Sequence, residues 1–135
     1  MNKVILDASA ILACLNNEPG GMEIADVAHS TPCLVVTVNW SEALTRLIEW
    51  GLTPDEAQES VESLDLHIAD FDAALARRCA ELRPATRHKG LSLGDRACFA
   101  LALQERAPVL TADRAWLSLA QPLGLDIRCI RPDLR

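Results

Sequence analysis

The chain has 135 residues, half of them apolar, which suffices for one compact domain with a hydrophobic core but not for two. Its 13 basic and 19 acidic side chains give a net charge of −6, which argues against binding nucleic acid through a broad basic surface. Because no run of 18 apolar residues occurs, we expect a soluble, cytoplasmic protein with no membrane attachment.

The N-terminal segment alternates short apolar runs with amphipathic stretches. The run at residues 4–6 predicts a buried parallel strand, and Asp7 directly after it is a residue type that caps helices. A helix is predicted at residues 10–15 and a second one at residues 22–28. The next apolar run, at residues 33–38, predicts the second strand.

The middle of the chain continues the alternation. Apolar side chains at helical spacing over residues 40–48 predict an amphipathic helix. Thr53, followed three residues later by Glu56, predicts the capped start of another helix. Residues 64–68 alternate apolar and polar side chains, which predicts a strand with one exposed face at the edge of a sheet.

The next segment contains two predicted helices separated by a basic loop. Asp72 is the expected cap of the first, which Pro84 ends. Residues 86–90 form the polar, basic loop. Residues 96–103 are apolar on nearly every side, which predicts a helix buried between two layers.

The C-terminal segment predicts a strand at residues 109–111, a short helix at 115–120 and a last strand at 127–130, before the tail at 131–132. Strands that alternate with helices at these lengths form βαβ units with right-handed crossovers. The predicted fold class is therefore α/β, a three-layer α/β/α sandwich around a mostly parallel central sheet.

The residue types that serve nucleophilic catalysis and zinc binding form no suitable pattern. The five cysteines include no CxxC pair, and we expect them to be reduced and, at Cys79 and Cys98, buried. The three histidines lie far apart without an i,i+4 pair. A zinc site and a Cys/His nucleophile are therefore not supported.

Four acidic residues follow predicted strands or begin predicted helices. Asp7 follows the first strand, and Asp113 follows the strand at 109–111. Glu42 lies in the first turn of its predicted helix, and Asp95 opens the buried helix. Because ligands of open α/β sheets bind beyond the carboxyl ends of the strands, these four side chains are expected to meet at one edge.

Carboxylates gathered in one place repel one another unless a cation is present. Oxygen-only ligands favour Mg²⁺ or Mn²⁺ over zinc, and such an ion can activate water for phosphodiester hydrolysis. A cation-binding acidic cluster would also account for part of the negative net charge.

Each of these acids also has a structural interpretation. Asp7 and Asp95 are suited to cap helices, and Asp113 is suited to a turn. Glu42 falls opposite the apolar stripe of its helix, beside Arg46, which is typical of a solvated face. The residues alone leave these alternatives open.

The chain resembles the PIN-domain family, and specifically the VapC toxins of bacterial type II toxin–antitoxin pairs. The resemblance covers almost the whole chain, and four motifs carry it: VILDASA at residues 4–10, NWSE at 39–42, LSLGDRAC at 91–98 and PVLTADRAW at 108–116. The last two, in this order and spacing, are highly specific.

The resemblance implies one PIN-like nuclease domain over residues 1–135. It implies that Asp7, Glu42, Asp95 and Asp113 form a Mg²⁺ or Mn²⁺ pocket in which a metal-activated water attacks RNA phosphodiesters. Ser9 and Thr111 resemble supporting hydroxyls. The expected activity is that of an endoribonuclease toxin, and the expected partners are an RNA substrate, a VapB-like antitoxin and a second copy of the chain.

Candidate substrate contacts come from basic side chains near the acids. Arg83, Arg87, His88 and Lys89 form a local cluster in the predicted loop, for which a solvated surface is the alternative. Arg96 and Arg114 flank two of the acids and are further candidates for phosphate contacts. Trp40, Trp50 and Trp116 suit core or dimer contacts better than base stacking.

Two hypotheses compete with the nuclease. In the first, the protein is a catalytically silent acidic module that binds a basic partner. In the second, Asp7 is the covalent nucleophile of a phosphatase-like hydrolase, although the second aspartate expected two residues later is Ser9.

Overall fold

A computed structural model describes residues 2–131 of the chain, so the predicted tail beyond Arg131 lies outside the described residues. Five strands are present in this part: β1 (Val4–Leu6), β2 (Cys33–Val36), β3 (His67–Ala69), β4 (Val109–Thr111) and β5 (Ile127–Cys129). Eight α-helices accompany them: α1 (Ala8–Leu15), α2 (Gly21–Ser30), α3 (Thr37–Glu49), α4 (Pro54–Glu62), α5 (Ala73–Glu81), α6 (Arg83–Thr86), α7 (Leu93–Glu105) and α8 (Ala120–Leu123). Two 3₁₀ turns cover Arg87–Lys89 and Arg114–Leu119.

The strands form one sheet in the order β3-β2-β1-β4-β5, and every neighbouring pair is parallel. The predicted α/β class is confirmed, and the expected edge position of β3 is confirmed as well. Because all five strands point the same way, their carboxyl ends share one edge of the sheet. Every residue that directly follows a strand is therefore delivered to that edge.

Helices cover both faces of the sheet, and β1 shows how the sequence divides them. Val4 and Leu6 pack into a core formed with α1 to α4, whereas Ile5 packs into a second core formed with α5 and α7. All three side chains are fully buried. This explains why β1 is a continuous apolar run rather than an alternating one.

The buried helix predicted from its apolar composition is α7. Its residues 97–102 are all buried, which places the helix between the sheet and the outer segments of the molecule. Cys79 and Cys98 are free and buried in the same core, as their apolar neighbours in the sequence predict. Within residues 2–131, no helix combines the length and the apolarity needed to cross a bilayer.

Several predicted boundaries are corrected. Helix α3 begins at Thr37, directly after β2, so the strand predicted to residue 38 ends at Val36. Thr37 also accepts a hydrogen bond from the Phe71 amide, a contact 34 residues away that no local pattern reveals. The strand predicted from residue 64 begins at His67.

The segment predicted as a basic loop contains short helical turns. Helix α6 and the first 3₁₀ turn occupy most of it. Gly90 ends this 3₁₀ turn with a left-handed backbone at φ +65°. Glycine adopts this conformation without the steric penalty of other residues, so it suits the end of a helical turn. The basic side chains nevertheless remain on the surface.

Candidate active site

A pocket of about 580 Å³ opens beyond the carboxyl ends of β1 and β4. The four predicted acids all line it: Asp7, Glu42, Asp95 and Asp113. They come from four different elements, the strand–helix junction at β1, helix α3, helix α7 and the turn after β4. The fold thus brings together side chains that are distant in the sequence.

Asp7 is the buried member of the group, with 5% of its surface exposed. It is the N-cap of α1, and its Oδ1 accepts a hydrogen bond of 2.9 Å from the Ala10 amide. Ser9 Oγ lies 2.8 Å from both carboxylate oxygens, and Thr111 Oγ1 donates to Oδ2 at 2.7 Å. Both oxygens of Asp7 are therefore hydrogen-bonded, which fixes the position of the carboxylate.

The two hydroxyls connect Asp7 to the backbone after β4. Ser9 Oγ accepts from the Ala112 amide at 2.9 Å, and Thr111 Oγ1 accepts from the Asp113 amide at 3.0 Å. Because each hydroxyl accepts from an amide, its own proton is free to point at Asp7. Asp7 is thereby held in register with the segment that carries Asp113.

Burial dominates the electrostatics of Asp7. The pKa of this carboxyl is raised from 3.8 to about 6, chiefly by burial and to a smaller extent by the nearby negative charge of Asp95. The hydrogen bonds from Ala10, Thr111 and Ser9 act in the opposite direction, because they stabilise the charged form. Asp7 is thus a carboxyl group whose charge the surrounding protein only partly compensates.

Cys98 lies beneath the acids and reports on their convergence. Burial raises the pKa of its thiol well above the usual value, and the charges of Asp7, Asp95 and Glu42 raise it further. The thiol is therefore neutral, which fits a structural role. Three of the pocket acids are therefore close enough to act electrostatically on one buried thiol.

Asp95 and Asp113 serve as helix-terminal residues while they line the pocket. Ser92, not Asp95, is the N-cap of α7, and the Asp95 carboxylate completes a capping box by accepting from the Ser92 amide at 3.0 Å. Asp113 caps the following 3₁₀ turn by accepting from the Ala115 amide at 3.0 Å. Both residues therefore take part in capping a helix or turn and also line the pocket.

Glu42 lies in the second turn of α3, not in the first, because the helix begins three residues earlier than predicted. Its side chain is exposed, as the helical pattern suggests, but it faces the pocket. The Asn39 side chain donates to Glu42 Oε1 at 2.8 Å and to the Gly94 carbonyl at 3.0 Å. Asn39 is not among the site residues predicted from the sequence, and its position three residues before Glu42 on the helix is the only local signal for its role.

The acids do not form a ready-made ligand cluster. Among residues 2–131, no group of three or more His, Cys, Asp or Glu side chains is arranged to hold a metal ion. The pocket instead offers one fixed carboxylate, Asp7, surrounded by three more that are partly or fully exposed.

The predicted basic contacts lie in different places. Lys89 lines a neighbouring pocket of about 230 Å³ together with Asp95 and Asp113, and Arg87 is exposed on the same turn. Arg114 lies beside Asp113, and its guanidinium donates to the Arg131 carbonyl at 3.3 Å.

Arg96 is directed elsewhere, since its guanidinium donates to the Cys79 carbonyl at 3.4 Å. Among residues 2–131, those that line the acidic pocket include the four carboxylates but not Arg96.

Two arginines that the sequence analysis did not select as site residues line the acidic pocket. Arg46 lies one helical turn after Glu42, and its guanidinium is 5.6 Å from the centre of the Trp50 ring, which also lines the pocket. Arg131 also lines the pocket and pairs with Glu18 at 3.3 Å. The i,i+4 spacing of Glu42 and Arg46 was the only sequence signal for either of them.

Comparisons with known proteins identify the family of the chain. A family model for the PIN domain matches residues 4–121. A comparison with curated proteins gives no significant match.

Three solved structures illustrate the likeness of fold. VapBC2 from Rickettsia felis, bound to a promoter DNA fragment, has 19% identity and a TM-score of 0.72 over 94% of this chain and 98% of that chain. DNA-bound VapBC from Salmonella typhimurium has 20% identity and a TM-score of 0.71 over 96% and 99%. VapBC-5 from Mycobacterium tuberculosis has 21% identity and a TM-score of 0.63 over 98% and 100%. At these identities the structures establish a shared fold, and because the family match spans residues 4–121, the chain belongs to the PIN-domain family.

Proposed function

We propose that the protein is a metal-dependent endoribonuclease and that it acts as the toxin of a type II toxin–antitoxin pair. PIN domains are generally nucleases. The observation that carries the proposal for this chain is the convergence of Asp7, Glu42, Asp95 and Asp113 on one pocket at the carboxyl edge of the sheet. We therefore propose that this pocket is the active site and that these four acids are its functional residues.

The donor set suits Mg²⁺ or Mn²⁺. All four candidate ligands are carboxylates, and a bound cation would offset the charge of Asp7, whose pKa is raised chiefly because burial removes water from its carboxylate. Mg²⁺ keeps several of its waters and needs only one or two protein carboxylates, so a preformed cluster of three ligands is not required. Asp7 and Asp95 are the best candidates, because Asp95 already contributes to the electrostatic field at Asp7.

When bound, a divalent ion polarises a phosphoryl oxygen and lowers the pKa of a coordinated water. The protein groups have distinct supporting tasks. Ser9 and Thr111 orient the Asp7 carboxylate, and the capping box at Ser92 fixes the carboxylate of Asp95. Groups held in this way need little reorganisation during the reaction.

The substrate is proposed to be RNA, contacted through a few basic groups at the rim. Arg46 and Arg131 line the pocket, and Lys89 lies close to Asp95 and Asp113. Arg87 and Arg114 are further candidates for phosphate contacts outside the pocket. Since the net charge is −6, these local groups rather than a broad surface would position the phosphate backbone.

The proposed partner is a small VapB-like antitoxin that covers the acidic pocket. Structures of similar fold are described as VapBC toxin–antitoxin systems and as a toxin–antitoxin complex from Klebsiella pneumoniae. A basic segment is electrostatically complementary to a cleft lined by four carboxylates. We further propose that the toxin works as a homodimer in the cytoplasm.

Cleavage of RNA by the purified protein tests the proposal. With Mg²⁺ or Mn²⁺ the native chain should cut cellular RNA, and chelation should abolish the activity. Asp7→Asn and Asp95→Asn should each lower the rate at least about a hundredfold, because metal-assisted charge stabilisation contributes several kcal/mol.

The matched control is Asp26→Asn, which removes an exposed carboxylate on α2 outside the pocket and should leave the rate unchanged. A native protein that cuts DNA but no RNA would overturn the proposed substrate. If no cleavage occurs and Asp95→Asn only weakens the binding of a basic partner, the acidic binding module replaces the nuclease.

A further inference from the structure

Asn39 connects the helix that carries Glu42 to the helix that carries Asp95. It is the third residue of α3 and only 2% exposed. Its side-chain amide donates to Glu42 Oε1 at 2.8 Å and to the Gly94 carbonyl, in the first turn of α7, at 3.0 Å. One amide group thereby fixes a carboxylate on α3 relative to the backbone of α7.

The chemistry of the two partners determines the orientation of this amide. A carboxylate oxygen and a backbone carbonyl are both acceptors, so the NH₂ group must face them. Asn39 Oδ1 is then buried, with no hydrogen-bond partner among the described residues. An unpaired buried acceptor opposes folding, so the contribution of Asn39 to stability does not by itself explain this arrangement.

Gly94 provides the space that the Glu42 carboxylate occupies. A Cβ added at Gly94 would lie 2.6 Å from Glu42 Oε1 and 2.7 Å from its Cδ, which is closer than real Cβ contacts come. Gly94 does not have the positive φ that would by itself favour glycine. Because glycine is less favourable than alanine inside a helix, close approach of the carboxylate is the physical reason for a glycine here.

Without these contacts, nothing in α3 itself would direct Glu42 toward α7. Glu42 is exposed, and Arg46 lies one turn further along the same helix face, within reach of an i,i+4 pair. We propose that Asn39 is a positioning residue, which with the space left by Gly94 holds the Glu42 carboxylate in the acidic pocket. This inference deepens the proposed nuclease function and rests on it.

Mn²⁺ titration of the full chain, followed by the electron paramagnetic resonance of the free ion, tests the positioning role. Asn39→Ala should weaken Mn²⁺ binding about tenfold or more, as expected when a group that orients a ligand is removed. For RNA cleavage, kcat should fall while KM stays nearly constant. Gln58→Ala is the matched control, because Gln58 also donates to a carboxylate, Glu62 at 2.9 Å, but on the exposed surface of α4.

Gly94→Ala tests the same contact from the other side and leaves Asn39 intact. In the native background it should weaken Mn²⁺ binding, because the Cβ displaces the Glu42 carboxylate from its contact with Asn39. It should raise the denaturant midpoint less there than in a Glu42→Ala background, where nothing opposes the higher helix propensity of alanine. Equal effects in both backgrounds would overturn the inference about Gly94.

The side-chain ¹⁵NH₂ signals of Asn39 provide a measurement that does not depend on metal or activity. They should shift when Glu42 is replaced by alanine and stay unchanged in Gln58→Ala. If native protein binds no Mn²⁺ through Asp7 and Asp95, the proposed function fails, whatever these signals show. Two results would overturn the positioning role and leave the proposed function standing. In the first, the native protein and Asn39→Ala bind Mn²⁺ equally well. In the second, the side-chain amide signals of Asn39 do not change in Glu42→Ala.

Discussion

At the scale of the residue, Asp7 combines a structural task with a proposed chemical one. It caps α1 through the Ala10 amide and accepts hydrogen bonds from two hydroxyls. These bonds favour its charged form, but burial outweighs them and raises the pKa to about 6. The carboxylate is therefore held in place at the cost of being easier to protonate.

This raised pKa predicts a specific dependence of stability on pH in the absence of metal. Because the folded-state pKa of Asp7 exceeds the unfolded value of 3.8, the folded protein binds more protons between pH 3.8 and about 6. The stability that this group contributes is thus present at low pH and is lost as the pH rises through about 6. The rise in pKa corresponds to at most about 3 kcal/mol.

Urea unfolding with a chelator present checks this dependence. The stability of Asp7→Asn relative to the native protein should increase by up to about 3 kcal/mol from about pH 4 to about pH 7, because asparagine does not ionise. Gln58→Ala, which replaces no ionisable group, should show no such change with pH. A constant difference between Asp7→Asn and the native protein would contradict the burial of Asp7.

Glu42 shows the limit of inference from one helix. Its position opposite the apolar stripe is compatible with a solvated side chain, and the side chain is indeed exposed. Its carboxylate accepts a hydrogen bond from Asn39 on the same helix, and Asn39 also donates to the carbonyl of Gly94 in α7, which lies 52 residues from Glu42 in the chain. A helical pattern records which face avoids water and contains no information about a polar partner on another helix.

At the scale of the element, the start of α7 joins helix formation to the candidate site. Ser92 and Asp95 exchange side-chain and backbone hydrogen bonds of 3.1 and 3.0 Å. Helix α4 begins with the same arrangement at Thr53 and Glu56, with bonds of 3.1 and 2.8 Å. The sequence predicts the capping box of α4, because Glu56 is the usual residue three positions after a capping threonine. At α7 the same position holds the shorter acid Asp95, and the sequence predicts Asp95 rather than Ser92 as the residue that opens the helix.

The two capping boxes allow a matched prediction. Ser92→Ala and Thr53→Ala should each lower the free energy of unfolding by about 1 kcal/mol, because each removes one N-cap hydrogen bond. Only Ser92→Ala should also reduce RNA cleavage and Mn²⁺ affinity, since only its box fixes a pocket acid. Urea unfolding and cleavage assays on both variants make this comparison. Equal cleavage activities of the two variants would show that the cap of α7 does not contribute to the site.

At the scale of the whole molecule, the parallel sheet gathers the acids. Asp7 and Asp113 arrive at the same edge because β1 and β4 are hydrogen-bonded neighbours, with Leu6 paired to Leu110. The hydroxyls of Ser9 and Thr111 then tie the two ends together. The site is thus a direct consequence of strand order, which neither strand specifies alone.

Metal binding should stabilise the whole fold by mass action. Mg²⁺ or Mn²⁺ at about a hundred times its dissociation constant adds about 2.7 kcal/mol, provided that it binds only the folded state. For a chain of this size, Tm should rise by roughly 10 °C. Thermal unfolding with and without the ion checks this expectation.

Asp95→Asn should lose most of this rise in Tm, and Asp26→Asn should keep it. A native Tm that is insensitive to both ions would contradict the proposed metal site.

The sequence by itself determined the alternation of strands and helices, the buried character of β1 and α7, and the family. These features depend on local apolar periodicity and on short motifs, which can be recognised without knowing any tertiary contact. The tertiary structure decided where α3 begins, that Glu42 faces the pocket, and that Arg96 turns to Cys79 instead. Each of these depends on contacts between residues far apart in the chain, and the energy of such contacts exists only once the layers have packed.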